Sequence, residues 1–102
     1  MSTHVVMTFQ AKPEAVVPLR DFLSVFQDRI IDGGALTASL MQDEDDPAHF
    51  VELDVWVSAD EYKKFFGAAA EGGELKRLDE LLVAPLQATY MDTVRYSRSR
   101  RR

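Results

Sequence analysis

From His49 to Trp56 the chain reads His-Phe-Val-Glu-Leu-Asp-Val-Trp, and alternate residues of this run could do chemistry. Successive side chains of an extended strand point to opposite faces. Phe50, Glu52, Asp54 and Trp56 therefore share a face, two carboxyl groups between two aromatic rings. A carboxylate held between rings loses part of its hydration, which raises its pKa and makes it a usable base. The rings offer a flat molecule a stacking surface. Glu52 is the first choice for general base, with His4 on the first strand as the alternative. Val6 and Thr8 share the face of His4 and complete the expected cavity. Tyr62, on the helix that follows, could close the rim and hydrogen-bond a bound oxygen, and Phe65 adds another ring.

Each of these residues also has a plainer reading. Trp56 suits a core or dimer-interface ring. Asp54 can pair with an arginine across a dimer or accept from a backbone N–H. His4 and His49 fit solvated strand histidines. Tyr62, Phe65 and Phe66 stand at helical spacing, so at least one must enter the core. The acidic run Asp43–Asp46 lacks the interleaved spacing and glycine of an EF-hand calcium loop and reads as a solvated hairpin.

The elements that must position these side chains follow from periodicity and punctuation. Thr3 to Ala11 reads as a strand with Val5, Met7 and Phe9 on one face and His4, Val6, Thr8 and Gln10 on the other. Pro13 and Glu14 suit a helix start, and Pro18 predicts an irregular first turn before a regular helix from about Val17 to Asp32. Its stripe is Leu19, Phe22, Leu23, Phe26 and Ile30, closed by Gly33-Gly34. Ala35 to Gln42 and His49 to Val57 read as the second and third strands. On the third, Val51, Leu53, Val55 and Val57 form an aliphatic face that calls for a helix over it. Ser58 and Glu61 have the spacing of a capping box, opening a helix with Tyr62, Phe65, Phe66 and Ala69 on one stripe. Gly72-Gly73 breaks it, Glu74 to Leu82 restarts a turn or two, and Pro85 to Tyr96 reads as the last strand. The order matches a ferredoxin-like βαββαβ domain of class α+β, a four-stranded antiparallel sheet with helices on one face. The other face stays bare and is expected to carry Val6, Phe50 and Trp56, with Leu40 and Tyr90. An apolar face of that size predicts a homodimer.

Composition narrows the classes of function. The 102 residues fit one domain, 1–96, followed by a basic tail at 97–102 that reads as disordered. With no cysteine there is no disulfide, thiolate nucleophile or cysteine-ligated metal, and two histidines are too few for a histidine-rich metal cage. No apolar run approaches the roughly 18–20 residues of a membrane span, and the Met-Ser-Thr-His start lacks the basic region of a secretory signal. The expectation is a cytoplasmic domain away from membranes. Residues 1–97 carry 8 basic against 17 acidic side chains, a net of −9, with Arg98, Arg100, Arg101 and Arg102 following in the tail. Such an acidic body is a poor partner for nucleic acid, whose affinity comes from neutralising phosphates.

The run Gly34 to Gln42, the Asp-Glu-Asp-Asp-Pro turn, and His49 to Trp56 followed by Ser58 and Tyr62 resemble the antibiotic biosynthesis monooxygenase family. Ala11-Lys12-Pro13-Glu14 and Ala84-Pro85 add to the likeness, which covers about residues 3–96. Its strongest element is Asp54-Val55-Trp56, where the family more often has Glu in the first place. The resemblance implies a ferredoxin-like domain paired into a dimeric α+β barrel. Members similar to this chain oxidise quinols or polycyclic phenols with molecular oxygen and no cofactor; others degrade haem or isomerise small metabolites. Oxygenation without a cofactor needs a base to form an electron-rich anion, an apolar slot for flat rings and a route for oxygen. By resemblance Trp56 and Tyr62 match aromatic positions lining the pocket of phenol-oxidising members, and Glu52 stands where they can have an amide. Phe50, Phe65, Val6, Thr8 and Asp54 would then contact substrate. Haem-degrading members take an iron ligand from a histidine in the second helical region, yet Phe66 to Val83 holds none. Val6 and Phe65 also replace the amide and the tryptophan of those members. The resulting expectation is a cofactor-free monooxygenase, an oxidoreductase with no metal. A non-catalytic small-molecule-binding or interaction dimer, or an isomerase, is the alternative.

Overall fold

Eight residues rich in β-branched and aromatic side chains, Thr3–Gln10, form strand β1, one of the two inner strands of the sheet. The computed structural model describes residues 2–95 and Arg100; the expected tail at 97–102 otherwise lies outside the described residues. Pro13–Ala15 forms a single 3-10 turn, and helix α1 then runs Val16–Asp32. Pro18 falls in the first turn of α1, where its missing N–H would have had no intrahelical acceptor. Gly34, at φ 124°, ends the helix by letting the Ala35 N–H return to the Ile30 carbonyl at 3.1 Å.

Strand β2 (Thr37–Gln42) and strand β3 (His49–Trp56) follow. Helix α2 spans Ala59–Glu71, capped by the Ser58 hydroxyl, which accepts from the Glu61 N–H at 3.3 Å. Helix α3 spans Glu74–Leu81, and strand β4 spans Gln87–Met91, shorter than the expected Pro85–Tyr96. Val94 is fully exposed beyond the end of β4, and Tyr96 lies outside the described residues. All three strand pairings are antiparallel in the order β2-β3-β1-β4. This is the ferredoxin-like α+β arrangement expected from the element order.

One expectation about the sheet is reversed. Val5 lies opposite Asp54, Met7 opposite Glu52 and Phe9 opposite Phe50, and directly opposed residues share a face. The row Phe50, Glu52, Asp54, Trp56 therefore joins Val5, Met7 and Phe9 beneath the helices. The aliphatic row Val51, Leu53, Val55 instead joins His4, Val6 and Thr8 on the uncovered face, where all six are only partly buried. Leu40, opposite Glu52, and Tyr90, opposite Val5, also belong to the helix side. The uncovered face thus carries neither Phe50, Trp56, Leu40 nor Tyr90. On the helix side α2 starts just after Trp56 and folds back over it, giving ring contacts to Tyr62 at 5.8 Å and Phe65 at 5.5 Å, and such ring pairs add to the apolar burial. The cost is that Glu52 and Asp54 are buried with them.

Candidate functional site

Strand β3 supplies the row, β1 one wall and α2 the roof. Phe50, Glu52, Asp54 and Trp56 are between 0% and 1% exposed, and Glu52 and Asp54 are the only buried charged side chains among the described residues. The cross-strand neighbours of Glu52 are Met7 and Leu40, and those of Asp54 are Val5 and Ala38. Tyr62 reaches down from the first turns of α2, and its hydroxyl donates to the Met7 sulfur at 3.4 Å. Around it the rings of Trp56, Phe66 and Tyr90 lie at 5.8, 5.3 and 5.7 Å. Phe65 bridges Trp56 to Phe26 of α1 at 5.9 Å.

The polar atoms of the row are unpaired. Glu52 Oε2, both carboxylate oxygens of Asp54 and the indole Nε1 of Trp56 are buried without a hydrogen-bond partner among the described residues. Buried polar groups in native proteins almost always have partners, so a cluster of orphans at one place calls for a ligand, water or a proton. Burial pushes the Glu52 carboxyl up to about 8, with the charge of Asp54 adding to it. Burial raises Asp54 to about 7, and the neighbouring Trp56 N–H partly offsets this although the two form no regularly aligned hydrogen bond. Tyr62 is pushed well above the ordinary phenol range by burial and by Tyr90 and Asp54. A carboxyl group that titrates near neutrality can both give and take a proton.

The structure divides the residues expected to share one cavity. Phe50, Glu52, Asp54, Trp56, Tyr62 and Phe65 come together on the helix side. His4, Val6 and Thr8 stand on the opposite face of the sheet, separated from them by its backbone. Met7 is a wall residue that strand alternation alone does not assign to the site; only the register of β1 against β3 reveals it. Tyr90, expected on one face with Phe50 and Trp56, does share their side of the sheet. His49 lies outside the row, its Nδ1 3.1 Å from Asp43 Oδ2. Asp43 also accepts from the Asp45 and Asp46 N–H groups, at 2.8 and 3.3 Å, which with His49 holds its carboxyl below the ordinary range. That acidic run is a self-capped turn.

Three cavities lie elsewhere. A groove of about 520 Å³ between α1 and α3 is lined by Val17, Phe22, Val25, Arg29 and Arg77 among others. One of about 250 Å³ involves Thr8, Gln10 and His49, and another of about 250 Å³ touches the row only at Phe50, beside Arg20 and Leu40. Glu52, Asp54 and Trp56 line none of the three. No helix among the described residues is long and apolar enough to cross a membrane.

Solved structures place this architecture in a class. A Deinococcus radiodurans protein named for the antibiotic biosynthesis monooxygenases superposes with a TM-score of 0.83 at 18% identity, over 96% of this chain and 98% of its own. Rv0793 from Mycobacterium tuberculosis gives 0.82 at 18% identity, over 96% of this chain and 100% of its own. A variant of SnoaB from Streptomyces nogalater, a cofactor-independent oxygenase, gives 0.79 at 12% identity, over 93% and 95%. The chain has the fold of the antibiotic biosynthesis monooxygenases. By sequence, no protein-family profile matches it and no curated protein does.

Proposed function

We propose that this protein is a cofactor-independent monooxygenase acting on a quinol-like or polycyclic aromatic substrate, and that it works as a homodimer. The observation that carries the reading is the buried, unpaired row of Glu52, Asp54 and Trp56 between the rings of Phe50, Phe65 and Tyr62. A fold shared with SnoaB, a cofactor-independent oxygenase, supports it. In this reading a carboxylate of the row takes a proton from a phenol or its keto tautomer and leaves an electron-rich anion. The anion reduces molecular oxygen: a ring CH2 becomes C=O, and its two hydrogens leave with the second oxygen atom as water. Trp56, Phe50 and Phe65 stack against the rings, and Tyr62 hydrogen-bonds a substrate oxygen. Because these rings pack on one another, substrate enters only when they swing aside.

The partly buried Val6, Val51, Leu53 and Val55 on the uncovered sheet face form the dimer surface in this reading, with His4 and Thr8 beside them. Closed packing over the row also favours a second reading, a non-catalytic dimer that binds a small molecule or a partner. An isomerase using the same carboxyls would differ in consuming no oxygen.

Dissolved oxygen, followed with metal-stripped protein and a panel of hydroquinones, anthrones and naphthols, separates these readings. The expected result is saturable uptake that is lost in the Glu52→Gln/Asp54→Asn double variant and reduced in Tyr62→Phe. Uptake that persists in the double variant would remove the carboxyls from the mechanism. A panel without uptake, with a ligand that is bound and recovered unchanged, would establish the binding reading.

A further inference from the structure

Helix α1 turns Leu19, Leu23, Phe26 and Ile30 inward, which leaves its outer side to polar residues in an ordinary amphipathic helix. Arg20, Ser24 and Asp28 follow that rule, but Val17 and Val25 are 53% and 67% exposed and Phe22 is only partly buried. With Pro18 and Phe26 these side chains form the apolar wall of the groove of about 520 Å³ between α1 and α3. That volume lies within the roughly 300–1,000 Å³ of sites that take small molecules, and contiguous apolar surface left open to water marks a place for a ligand or partner. The Phe26 ring stacks on Phe22 at 5.8 Å and packs on Phe65 at 5.9 Å, and Phe65 packs on Trp56 at 5.5 Å. Two rings therefore stand between the groove and the indole of the buried row.

The charges of the lining are divided along its length. Glu74, at the start of α3, pairs with Arg29 near the end of α1 at 2.6 Å. At the other end the N–H of Lys12, which precedes α1, donates to the Leu81 carbonyl of α3 at 3.0 Å. The two helices thus run antiparallel, and Arg77, about one turn after Glu74, stands in the Arg29 half of the groove. Arg29 has its charge met by Glu74, whereas Arg77 makes no ion pair or side-chain hydrogen bond among the described residues. The remaining acid of the lining, Asp21, stands in the other half, 3.9 Å from Arg20. From Val17 to Arg29 the groove follows α1 for about 18 Å, apolar along its wall and with one uncompensated cation toward one end.

We propose that the groove between α1 and α3 binds an amphipathic carboxylate with an extended apolar chain, its head held by Arg77 and its chain laid along Phe22, Val25 and Val17. The proposal does not rest on the function given to the buried row. A guanidinium presents its N–H donors as a planar fork that matches the two oxygens of a carboxylate. The apolar wall then removes the chain from water, which supplies the rest of the affinity. Asp21 sets the direction, because a carboxylate placed in that half would meet a like charge. The chain as a whole carries −5, which acts against any anion. Binding of the head therefore depends on the local cation, and loss of Arg77 has to be felt strongly.

The test is titration calorimetry of the full chain with octanoate and, as the uncharged control, octanol. Octanoate should bind at least about tenfold more tightly than octanol. Arg77→Gln should bring the two within about threefold of each other by weakening octanoate alone. Val25→Asp, which puts a carboxylate on the apolar wall, should weaken both by about tenfold or more. Arg77 and Val25 are exposed, so both variants are expected to keep the helical circular-dichroism signal. The Glu52→Gln/Asp54→Asn variant should bind octanoate as the unaltered protein does; a loss there would place the ligand in the buried row and overturn the groove. Equal affinities for the two probes, or octanoate binding untouched by Arg77→Gln, would overturn the carboxylate. If a variant does not fold, amide chemical shifts of the unaltered chain decide: octanoate should move those of Phe22, Val25 and Arg77, and changes confined to other residues would refute the site. No binding of either probe, with a particle mass that falls in Val25→Asp, would give the groove to a second copy of the chain and overturn the ligand; no binding with an unchanged mass would overturn it as well.

Discussion

At the scale of single residues, Glu52 and Asp54 tie stability to pH. Their pKa values rise on folding, from ordinary values of 4.5 and 3.8 to about 8 and about 7. Between these limits the folded chain holds more protons than the unfolded one, so stability falls as pH rises and levels off above the folded values. A pKa that moves by one pH unit on folding corresponds to about 1.4 kcal/mol. A loss of about 3 kcal/mol or more from pH 5 to pH 8 is therefore expected in calorimetric or circular-dichroism melts. The Glu52→Gln/Asp54→Asn variant should lose most of that slope and be the more stable protein at pH 8. A melting temperature independent of pH over this range would mean that the carboxyls are solvated in solution. Asp43 works in the opposite sense and in a separate window: its lowered pKa gives stability that is lost only as pH falls below the ordinary carboxylate range.

At the scale of elements, three substitutions report how the helices are held over the site. Gly33 closes α1 with φ −79°, so a side chain there is not strained by its backbone. A Cβ, however, would overlap the ring of Phe65, which packs between Trp56 and Phe26. Gly33→Ala should cost about 1–3 kcal/mol through that overlap. Gly67 sits exposed within α2 with nothing near its missing Cβ. Gly67→Ala should add about 0.5–1 kcal/mol, since alanine is the better helix former. Ser58→Ala removes the cap of α2 and should cost about 1 kcal/mol. Urea unfolding of the three variants measures all of these, and a Gly33→Ala as stable as Gly67→Ala would mean that Phe65 is free to move. The exposed ion pair of Arg29 and Glu74, 2.6 Å between α1 and α3, belongs with surface pairs worth little on their own.

At the scale of the whole molecule, the sheet has one face beneath the helices and, among the described residues, one without cover. The proposed homodimer would bury the central side chains of that face. Light scattering at micromolar concentration should therefore find a particle of twice 11.5 kDa. Leu53→Lys, which puts a charge at the middle of the face, should return it to the single-chain mass while leaving the helical circular-dichroism signal in place. A single-chain mass for the unaltered protein would remove the dimer. Contact across that face does not involve the row beneath the helices, so a monomeric variant that keeps oxygen uptake would show that each chain carries a complete site.

Local chemistry wrote much of this protein in its sequence. The stripe Leu19, Leu23, Phe26, Ile30 had to turn inward, Ser58 had to cap a helix, Gly34 had to end one, and strict alternation had to bring Glu52 and Asp54 to one face of β3 between Phe50 and Trp56. Those outcomes follow from periods of 3.6 and 2.0 and from single-residue backbone preferences. Which face of β3 turns to the helices did not follow, because alternation fixes what each face holds but not how its parity matches the next strand. Register settles that, and register is set by pairing between Val5 and Asp54, residues far apart in the chain. It buried the carboxyl pair, moved His4, Val6 and Thr8 away from it, and brought in Met7. The weakened acidity of Glu52 and Asp54 is thus a property of the tertiary structure, made by their burial beneath the helices.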